Sequence, residues 1–403
     1  MAIGFLAMTT TRGYKHMRII FFTTKLNFET GGYSTPELDL KLRALQALGH
    51  EVSVVTLFPD INRGTPPSAY PVIEERIGTS GQIVIHYGVY RMLKKYEKHA
   101  DVFHVDGTVS LYGAGLYRML GGKIPVVAGL NREQTSFPPF RKRKEKFSVM
   151  RAFANLRRNT RYVIEKTIGV YLANHIDGFV FCSPMLRDRY IRFGLDPQKS
   201  FFIFDFLDAK NILRHKRLAR VRRESEFVIL TGGRMVWEKG FDLVLTAVAS
   251  MPERNKVRVI VAGDGPEFGP LQKLARELGV ADHVLFPGWL SMDELYAQLQ
   301  RADCFILPCW RPEIASALVV YSMGVGVPTI VPRGGALQWF TGDAGLAFED
   351  QNTDDLAKKI ALLMNDSSLA DALIEKGFAR VKELDYHEPA KELEKVLQSV
   401  VRG

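Results

Sequence analysis

The chain has 403 residues, of which 46% are hydrophobic, a formal net charge of +10 and three cysteines. This length accommodates two domains of ordinary size, and the absence of any apolar run of about 18 residues excludes a predicted transmembrane helix. Cys182, Cys304 and Cys309 are too few and too scattered for a disulfide framework or a zinc site, so we expect a cytoplasmic protein.

The first half of the chain is predicted to form a Rossmann-like domain over residues 17–205, preceded by an N-terminal extension at residues 1–16. Apolar β-branched runs at residues 17–22 and 51–56 flank a helical pattern at residues 34–48. This order of strand, loop, helix and strand is typical of an α/β domain. Residues 62–80 are rich in Gly, Pro and Ser and are predicted to be a loop.

His104 and Asp106 are candidate acid–base residues because they end the predicted strand in the run ADVFHVDG. The alternation of a strand sends both side chains to the same face. The alternative is that His104 is a buried structural histidine. Asn131 follows the next predicted strand, KIPVVAG, and is a candidate hydrogen-bonding residue at the same sheet edge.

The positive charge is confined to two stretches. Residues 141–166 contain ten Lys/Arg and two Glu, and residues 210–223 contain seven Lys/Arg and no acid. Apolar residues recur at partly helical spacing through the first stretch, which indicates a basic amphipathic helix. Such a helix fits an anionic membrane surface, or it packs its apolar stripe on its own domain. The aromatic spacing shows no stacking motif, so we expect no nucleic acid partner.

The second half is predicted to be another Rossmann-like domain, at residues 206–384. Between residues 227 and 335, short apolar runs alternate with helical patterns, and each run ends in a small or charged loop. Ligands bind at the carboxyl ends of parallel strands, so we expect these loops to converge on one cleft. A last amphipathic helix, at residues 385–403, is predicted to cross back to the first domain.

The loop GGRMVWEKG has the composition of a phosphate site. Gly232 and Gly233 allow backbone N–H groups to approach an anion, and a helix is predicted to start near Gly240. Arg234 and Lys239 bring two cations to the same loop. The alternative is that both are ordinary solvated charges at a helix start.

Five blocks occur in a specific order in this half: GGRMVWEKG, VAGDGPE, ADCFILPCWRPE, SMGVGVP and RGG. Together they resemble the donor-binding half of a family-4 retaining glycosyltransferase with the GT-B fold, two Rossmann-like domains facing a cleft. The resemblance is close over about residues 226–348 and loose over the N-terminal half.

The resemblance implies roles for individual residues. Glu313 occupies the first position of the family's Glu-x7-Glu motif, beside the donor sugar, and Arg234 and Lys239 would neutralise the leaving diphosphate. The second motif position, which commonly holds the ribose hydroxyls, is Tyr321 rather than Glu. The remaining residues implied to bind the donor are Gly32, Gly233, Gly263, Gly265, Ala315, Ser316, Ala317 and Gly335.

The implied acceptor side holds His104, Asp106 and Asn131. Many family members carry a histidine facing the donor sugar where this chain has Leu130 and Asn131, so that role is not transferred.

The predicted function is therefore metal-independent, retaining transfer of a hexosyl group from a nucleoside-diphosphate sugar to a glycan, glycolipid or metabolite. No cofactor is implied, and no Asp-x-Asp sequence for a divalent metal occurs. The second hypothesis is a non-catalytic GT-B protein that binds a sugar nucleotide or a partner chain. A third is a related epimerase or phosphorylase, for which the chain offers no second anion site or pyridoxal lysine.

Overall fold

A computed structural model describes residues 16–28, 34–64, 70–134, 137, 149–217, 226–311 and 316–402. The side chains of Ser34 and of residues 149–154 lie outside this description. Three residues implied to bind the donor, Gly32, Glu313 and Ala315, also lie outside it, as do residues 141–148 of the basic stretch and residues 218–223 of the second.

Within the described residues, the first sheet contains seven parallel strands in the order β3-β2-β1-β4-β5-β6-β7. These strands are Arg18–Thr23 (β1), Glu51–Thr56 (β2), Val72–Glu74 (β3), Val102–Asp106 (β4), Val126–Leu130 (β5), Gly178–Phe181 (β6) and Ser200–Phe202 (β7). The helices of this half are Ser34–Ala47 (α1), Gln82–Tyr96 (α2), Thr108–Met119 (α3), Val149–Ile164 (α4), Val170–Ala173 (α5) and Pro184–Phe193 (α6). The short strand β3 lies inside the stretch predicted to be a loop, where it pairs with β2.

The second sheet contains six parallel strands among the described residues, in the order β10-β9-β8-β11-β12-β13. Helix Ala209–Leu213 (α7) precedes it. The strands are Phe227–Gly232 (β8), Val257–Ala262 (β9), Val284–Gly288 (β10), Cys304–Ile306 (β11), Thr329–Pro332 (β12) and Gly345–Phe348 (β13). The helices are Phe241–Ser250 (α8), Phe268–Glu277 (α9), Met292–Arg301 (α10), Ala317–Val325 (α11), Gly335–Thr341 (α12), Thr353–Asn365 (α13), Ser367–Glu383 (α14) and His387–Arg402 (α15). Two parallel α/β sheets are the architecture that the sequence predicts.

The order of strands places a crevice in each sheet. In the first sheet, β2 and β3 are added on one side of β1, and β4 to β7 follow on its other side. The second sheet has the same arrangement, with the change of side between β8 and β11. Loops leaving two such neighbouring strands turn to opposite faces and leave a space at the carboxyl edge. The strands that flank these crevices are almost fully buried, because helices cover both faces of each sheet.

The terminal helix α15 packs on the first sheet, although it follows the helices of the second domain in the chain. Its apolar face, including Leu393 and Leu397, belongs to one core cluster with Phe21 of β1 and Leu42 of α1. The two chain crossings between the domains lie side by side, since the Tyr386 N–H donates to the Leu207 carbonyl at 2.9 Å.

Candidate active site

The glycines after β8 and β9 bring two loops into backbone contact. A Cβ on Gly263 would lie 1.9 Å from the Gly233 carbonyl oxygen, and both residues have φ of +130°. The Gly233 N–H donates to the Ala262 carbonyl at 2.9 Å. We predicted that the Gly233 N–H would face an anion, and this was wrong, because the sheet register already uses that donor. Gly233 and Gly263 instead permit the close approach of the two loops.

Two cations of this loop have no ion-pair partner among the residues that the structure describes. Arg234 is exposed and Lys239 is half-buried. The aliphatic Cε of Lys239 lies 4.0 Å from the position of a Cβ on Gly233, so its side chain passes over the glycine loop. Within the described parts of the chain, no carboxylate forms an ion pair with either side chain. Two unpaired positive charges at a glycine loop are suited to an anion such as a diphosphate.

An apolar cavity of about 280 Å³ adjoins the glycine loops. Its described lining comprises Pro36, Leu230, Thr231, Gly232, Gly233, Ala262, Gly263, Trp289, Leu290, Met292, Leu295, Phe305, Ser316, Ala317, Leu318 and Tyr321. The structure thus brings together four of the residues implied to bind the donor beyond Gly233 itself: Gly263, Ser316, Ala317 and Tyr321. Pro36 comes from α1 of the first domain, so the cavity lies in the cleft between the domains.

Tyr321 is the residue of this cavity that departs from the family pattern. It lies on α11, its ring centroid is 6.0 Å from that of Tyr296, and burial raises the pKa of its hydroxyl. None of the described residues that line the cavity carries a charged or amide side chain. The cavity can therefore hold a flat apolar ring, whereas a sugar diol would find hydroxyl partners and no carboxylate among these residues.

Two other glycines implied to bind the donor lie apart from this cavity. The Gly265 N–H donates to Asp264 Oδ1 at 2.7 Å, and Gly335 begins α12. Beside α12 is a second cavity of about 470 Å³, whose described lining includes Arg311, Arg333 and Gly334. The prediction of a single convergent cleft was therefore too simple, because the loops after β11 and β12 border a neighbouring cavity.

The first domain contributes a polar cavity of about 300 Å³ at the carboxyl ends of β1 and β4. Asp106 and Asn131, which the resemblance assigns to the acceptor side, line it together with Glu37 and Lys41 of α1. The Lys41 ammonium lies 3.7 Å from Glu37 Oε1. This pair was not predicted from the sequence, although its spacing of four residues within a predicted helix was the available signal.

Burial shifts the pKa values of the carboxyl groups in and near the polar cavity. It raises the pKa of Asp106 to about 6, against the opposing field of Lys41. Burial also raises the pKa of Asp205 well above its usual range. The described lining of the polar cavity includes two carboxyl groups, those of Glu37 and Asp106, and the cations Lys25, Lys41 and Arg132. These groups can exchange hydrogen bonds with a hydroxylated ligand.

His104 does not reach the polar cavity. Its residue exposure is 1%, its ring stacks on Phe21 with centroids 4.5 Å apart, and burial lowers its pKa well below the usual value. The imidazole Nδ1 lies 3.4 Å from Asp106 Oδ1. His104 is therefore a buried neutral residue behind Asp106, as in the alternative that the sequence left open.

The chain matches two protein families, one in each half. Glycosyltransferase Family 4 matches residues 41–210, and Glycosyl transferases group 1 matches residues 215–380. These ranges correspond closely to the two sheets.

Three similar proteins illustrate the relationship. The lipopolysaccharide core biosynthesis glycosyltransferase LpsE of Rhizobium meliloti is 32% identical over 37% of this chain and 43% of its own length. The alpha-monoglucosyldiacylglycerol synthase of Streptococcus pneumoniae is 24% identical over 89% of this chain and 82% of its own length. The structure of Anabaena HepE in complex with UDP and glucose superposes with a TM-score of 0.70 at 18% identity, covering 95% of this chain and all of that one.

The match to LpsE spans less than half of that relative, and the same holds for a GDP-mannose-dependent mannosyltransferase of Mycobacterium tuberculosis, 34% identical over 35% of this chain and 39% of its own length. The family matches nevertheless extend across both domains, and the fold agrees over nearly the whole chain. The chain belongs to the family-4 glycosyltransferases, and its two Rossmann-like domains have the GT-B architecture.

Proposed function

We propose that this protein transfers a sugar from a nucleoside-diphosphate sugar to a hydroxylated acceptor, with retention at the anomeric carbon and without a catalytic metal. The observation that carries the proposal is the position of Arg234 and Lys239. Both cations lack an ion-pair partner among the described residues, and they share the glycine loop that borders the apolar cavity. The two cations could bind a diphosphate, and the adjoining apolar cavity could bind the nucleoside.

The proposed chemistry depends on stabilising the charge of the leaving diphosphate. As the bond from the anomeric carbon to the diphosphate oxygen breaks, negative charge grows on the departing oxygen and positive charge on the sugar ring. Arg234 and Lys239 would offset the growing negative charge, which is the function that a divalent metal serves in other transferases. The departing diphosphate can accept the proton of the acceptor hydroxyl. Glu313 is proposed to lie beside the donor sugar, from its position in the family motif.

The ligands and donors of similar proteins support a nucleotide-sugar donor. HepE has been captured with UDP, UDP and glucose, and UDP-glucose, and the mycobacterial relative is GDP-mannose-dependent. The acceptor is proposed to bind at the polar cavity of the first domain, which Asp106 and Asn131 line.

We further propose that the acceptor is carried by a lipid and that α4 and α5 dock on an anionic membrane surface. No helix in the described part of the chain is long and apolar enough to cross a bilayer. Five apolar side chains of the continuous helical segment 156–171 are more than half exposed: Leu156, Val163, Ile164, Ile168 and Tyr171. The exposure of these five side chains supports membrane docking over the alternative that the stripe packs on its own domain. The predicted stripe residues Phe147, Met150 and Phe153 lie outside the described side chains.

The charges beside the stripe favour an anionic lipid surface over a neutral one. Arg157 and Lys166 are exposed on the same segment. Each cation near such a surface contributes about 1 kcal/mol, and the apolar side chains can enter the headgroup region.

The transfer reaction is tested with a competent donor and a membrane extract as the source of acceptor. We expect a product whose anomeric configuration, read by proton NMR, matches that of the donor, and a rate unchanged by EDTA. Inversion, or a rate abolished by EDTA and restored by Mg²⁺, would contradict the mechanism. The variant Arg234→Gln should lose at least about tenfold in kcat/KM, since a charge-assisted hydrogen bond contributes about 1.5–3 kcal/mol.

Membrane docking is tested by co-sedimentation with vesicles of phosphatidylglycerol and of phosphatidylcholine. Wild type should bind the anionic vesicles, and Ile164→Ser/Ile168→Ser should reduce that binding. Leu362→Ser is the matched control, because Leu362 is 42% exposed on a helix of the second domain. Equal binding of all three proteins would reject the proposed surface.

A binding protein without transferase activity is the second candidate, and Tyr321 is the observation that favours it. A nucleotide that stabilises the fold but is never consumed in the presence of extract would support this candidate.

A further inference from the structure

A buried carboxylate of the first domain holds an arginine of the second. Glu133 lies in the loop after β5 and its side chain is 6% exposed. Its Oε2 accepts a hydrogen bond from the Arg311 guanidinium at 2.5 Å, and its Oε1 contacts Arg189 of α6. We call these three residues the Glu133 cluster. Arg189 and Glu133 belong to the first domain, whereas Arg311 lies in the loop after β11 in the second.

On the second domain, Arg311 adjoins both parts of the proposed donor site. It lies two residues before Glu313 in the chain. Its guanidinium is also 3.9 Å from Glu238, which lies in the same short turn as Lys239. The neighbouring Trp310 donates its ring N–H to the Trp237 carbonyl at 3.1 Å, so the loop after β11 and the turn of Lys239 are joined at two points.

On the first domain, the loop of Glu133 adjoins the proposed acceptor site. Asn131 and Arg132, immediately before it, line the polar cavity. The Arg132 carbonyl accepts a hydrogen bond from the Tyr190 hydroxyl at 3.0 Å, which ties this loop to α6. A single carboxylate therefore connects the loop that borders the acceptor cavity with the loops that border the donor.

The burial of this cluster makes its charge balance important. A buried ion pair adds little net stability, but removing one partner leaves the other charge buried without compensation. Replacing Glu133 with a neutral side chain would leave two guanidinium groups facing each other across the domain boundary. Repulsion between the two guanidinium groups and loss of the bridging carboxylate would then release Arg311.

We propose that Glu133 is a positioning residue for the transfer reaction. Through Arg311 it fixes the turn of Lys239 relative to the acceptor loop. This inference rests on the proposed function for its kinetic consequences. Its structural consequence, a fixed loop after β11, can be measured without turnover.

The kinetic experiment compares Glu133→Gln, Arg311→Gln and the double variant with wild type. We expect each single variant to lose at least about tenfold in kcat, because a displacement near 1 Å at a reacting centre costs up to about a hundredfold. The donor KM should change by a smaller factor than kcat, because Arg234 and Lys239 keep their charges although the turn of Lys239 is less firmly held. The kcat of the double variant should be no lower than that of the slower single variant. If the fold-losses in kcat of the two single variants multiply in the double variant, the two residues act separately and the proposal is overturned.

Glu226→Gln is the matched control, because Glu226 pairs with Arg258 at 2.9 Å within the second domain, at the end of β8 opposite the glycine loop. It should retain wild-type kcat. If the control loses as much kcat as Glu133→Gln, the loss comes from a general destabilisation of the fold and the proposal is overturned. Should Glu133→Gln fail to fold by circular dichroism, Arg311→Lys serves instead, since it keeps the charge and removes the planar fork.

Acrylamide quenching of tryptophan fluorescence supplies the readout that needs no substrate. Trp310 is 7% exposed in the wild-type fold. Glu133→Gln and Arg311→Gln should increase the quenching constant, and Glu226→Gln should not. Unchanged quenching in both cluster variants would overturn the proposal even where transfer activity is absent. Increased quenching in a protein that transfers no sugar would support the cluster while rejecting the proposed function.

Discussion

Gly263→Ala is the substitution for which the structure makes its sharpest prediction. The added Cβ would lie 1.9 Å from the Gly233 carbonyl oxygen, and the next nearest atoms are also backbone. Real Cβ contacts essentially never fall below 3.0 Å, so the loops after β8 and β9 would have to separate by about 1 Å. Backbone of two adjacent strands cannot rotate away as a flexible side chain can.

Two costs combine in this variant. Placing a side chain at the positive φ of Gly263 costs about 1–2 kcal/mol, and displacing packed backbone costs about 1–3 kcal/mol. We therefore expect the free energy of unfolding to fall by about 2–5 kcal/mol. The same separation widens the wall of the apolar cavity, so nucleotide affinity should fall at least about tenfold, or about 1.4 kcal/mol.

Urea denaturation and isothermal titration with a nucleoside diphosphate measure the two effects. Gly279→Ala is the control, because Gly279 has φ of +68° and open space around its Cβ position. It should lose only about 1–2 kcal/mol of stability and no nucleotide affinity. Equal destabilisation by the two variants would refute the argument that the contact between the loops, rather than the backbone conformation alone, requires glycine at position 263.

Three further predictions concern single side chains. Tyr321→Glu should increase the preference for UDP over 2′-deoxy-UDP by about tenfold, because a carboxylate accepts two hydrogen bonds from a diol; an unchanged ratio in titration would show that Tyr321 does not face the ribose. Asp106 has a raised pKa in the folded state, so its stabilising contribution is lost as pH rises from about 4 through about 6, by at most about 3 kcal/mol. Asp106→Asn should accordingly gain stability relative to wild type between pH 4 and pH 7, and parallel unfolding curves for the two proteins would contradict this shift. Ser291→Ala removes a complete capping box on α10 and should cost about 1 kcal/mol without altering nucleotide affinity, which a chemical denaturation series can verify.

Much of the architecture was predictable because hydrophobic periodicity and turn residues mark it directly. The second strand is observed at Glu51–Thr56 and the first helix at Ser34–Ala47, which agree with the predicted strand at residues 51–56 and helix at residues 34–48. The β3 strand was missed because its three residues lie in a stretch dominated by Gly, Pro and Ser. These residues form a strand through hydrogen bonds to β2, which the local sequence does not reveal.

The candidate site was predictable in its composition and less so in its geometry. The motif spacing identified Gly233, Gly263 and Tyr321, which the fold brings to one cavity. Which backbone donors remain free depends on the register of β8 against β9, and sequence spacing does not contain that information. The Glu133 cluster was also beyond prediction, since Glu133 and Arg311 are 178 residues apart and meet only when the domains face each other.

The central claim is that the glycine loop and its two cations bind the diphosphate of a nucleotide donor. Isothermal titration of UDP, GDP, ADP and dTDP, each beside its nucleoside, tests it most directly in wild type and in Arg234→Gln/Lys239→Gln. We expect at least one diphosphate to bind wild type at least about a hundredfold more tightly than its nucleoside, a difference of about 2.7 kcal/mol, and the double variant to lose most of that difference. Equal affinity of wild type and variant for every diphosphate, or no binding of any nucleotide to wild type, would contradict the account.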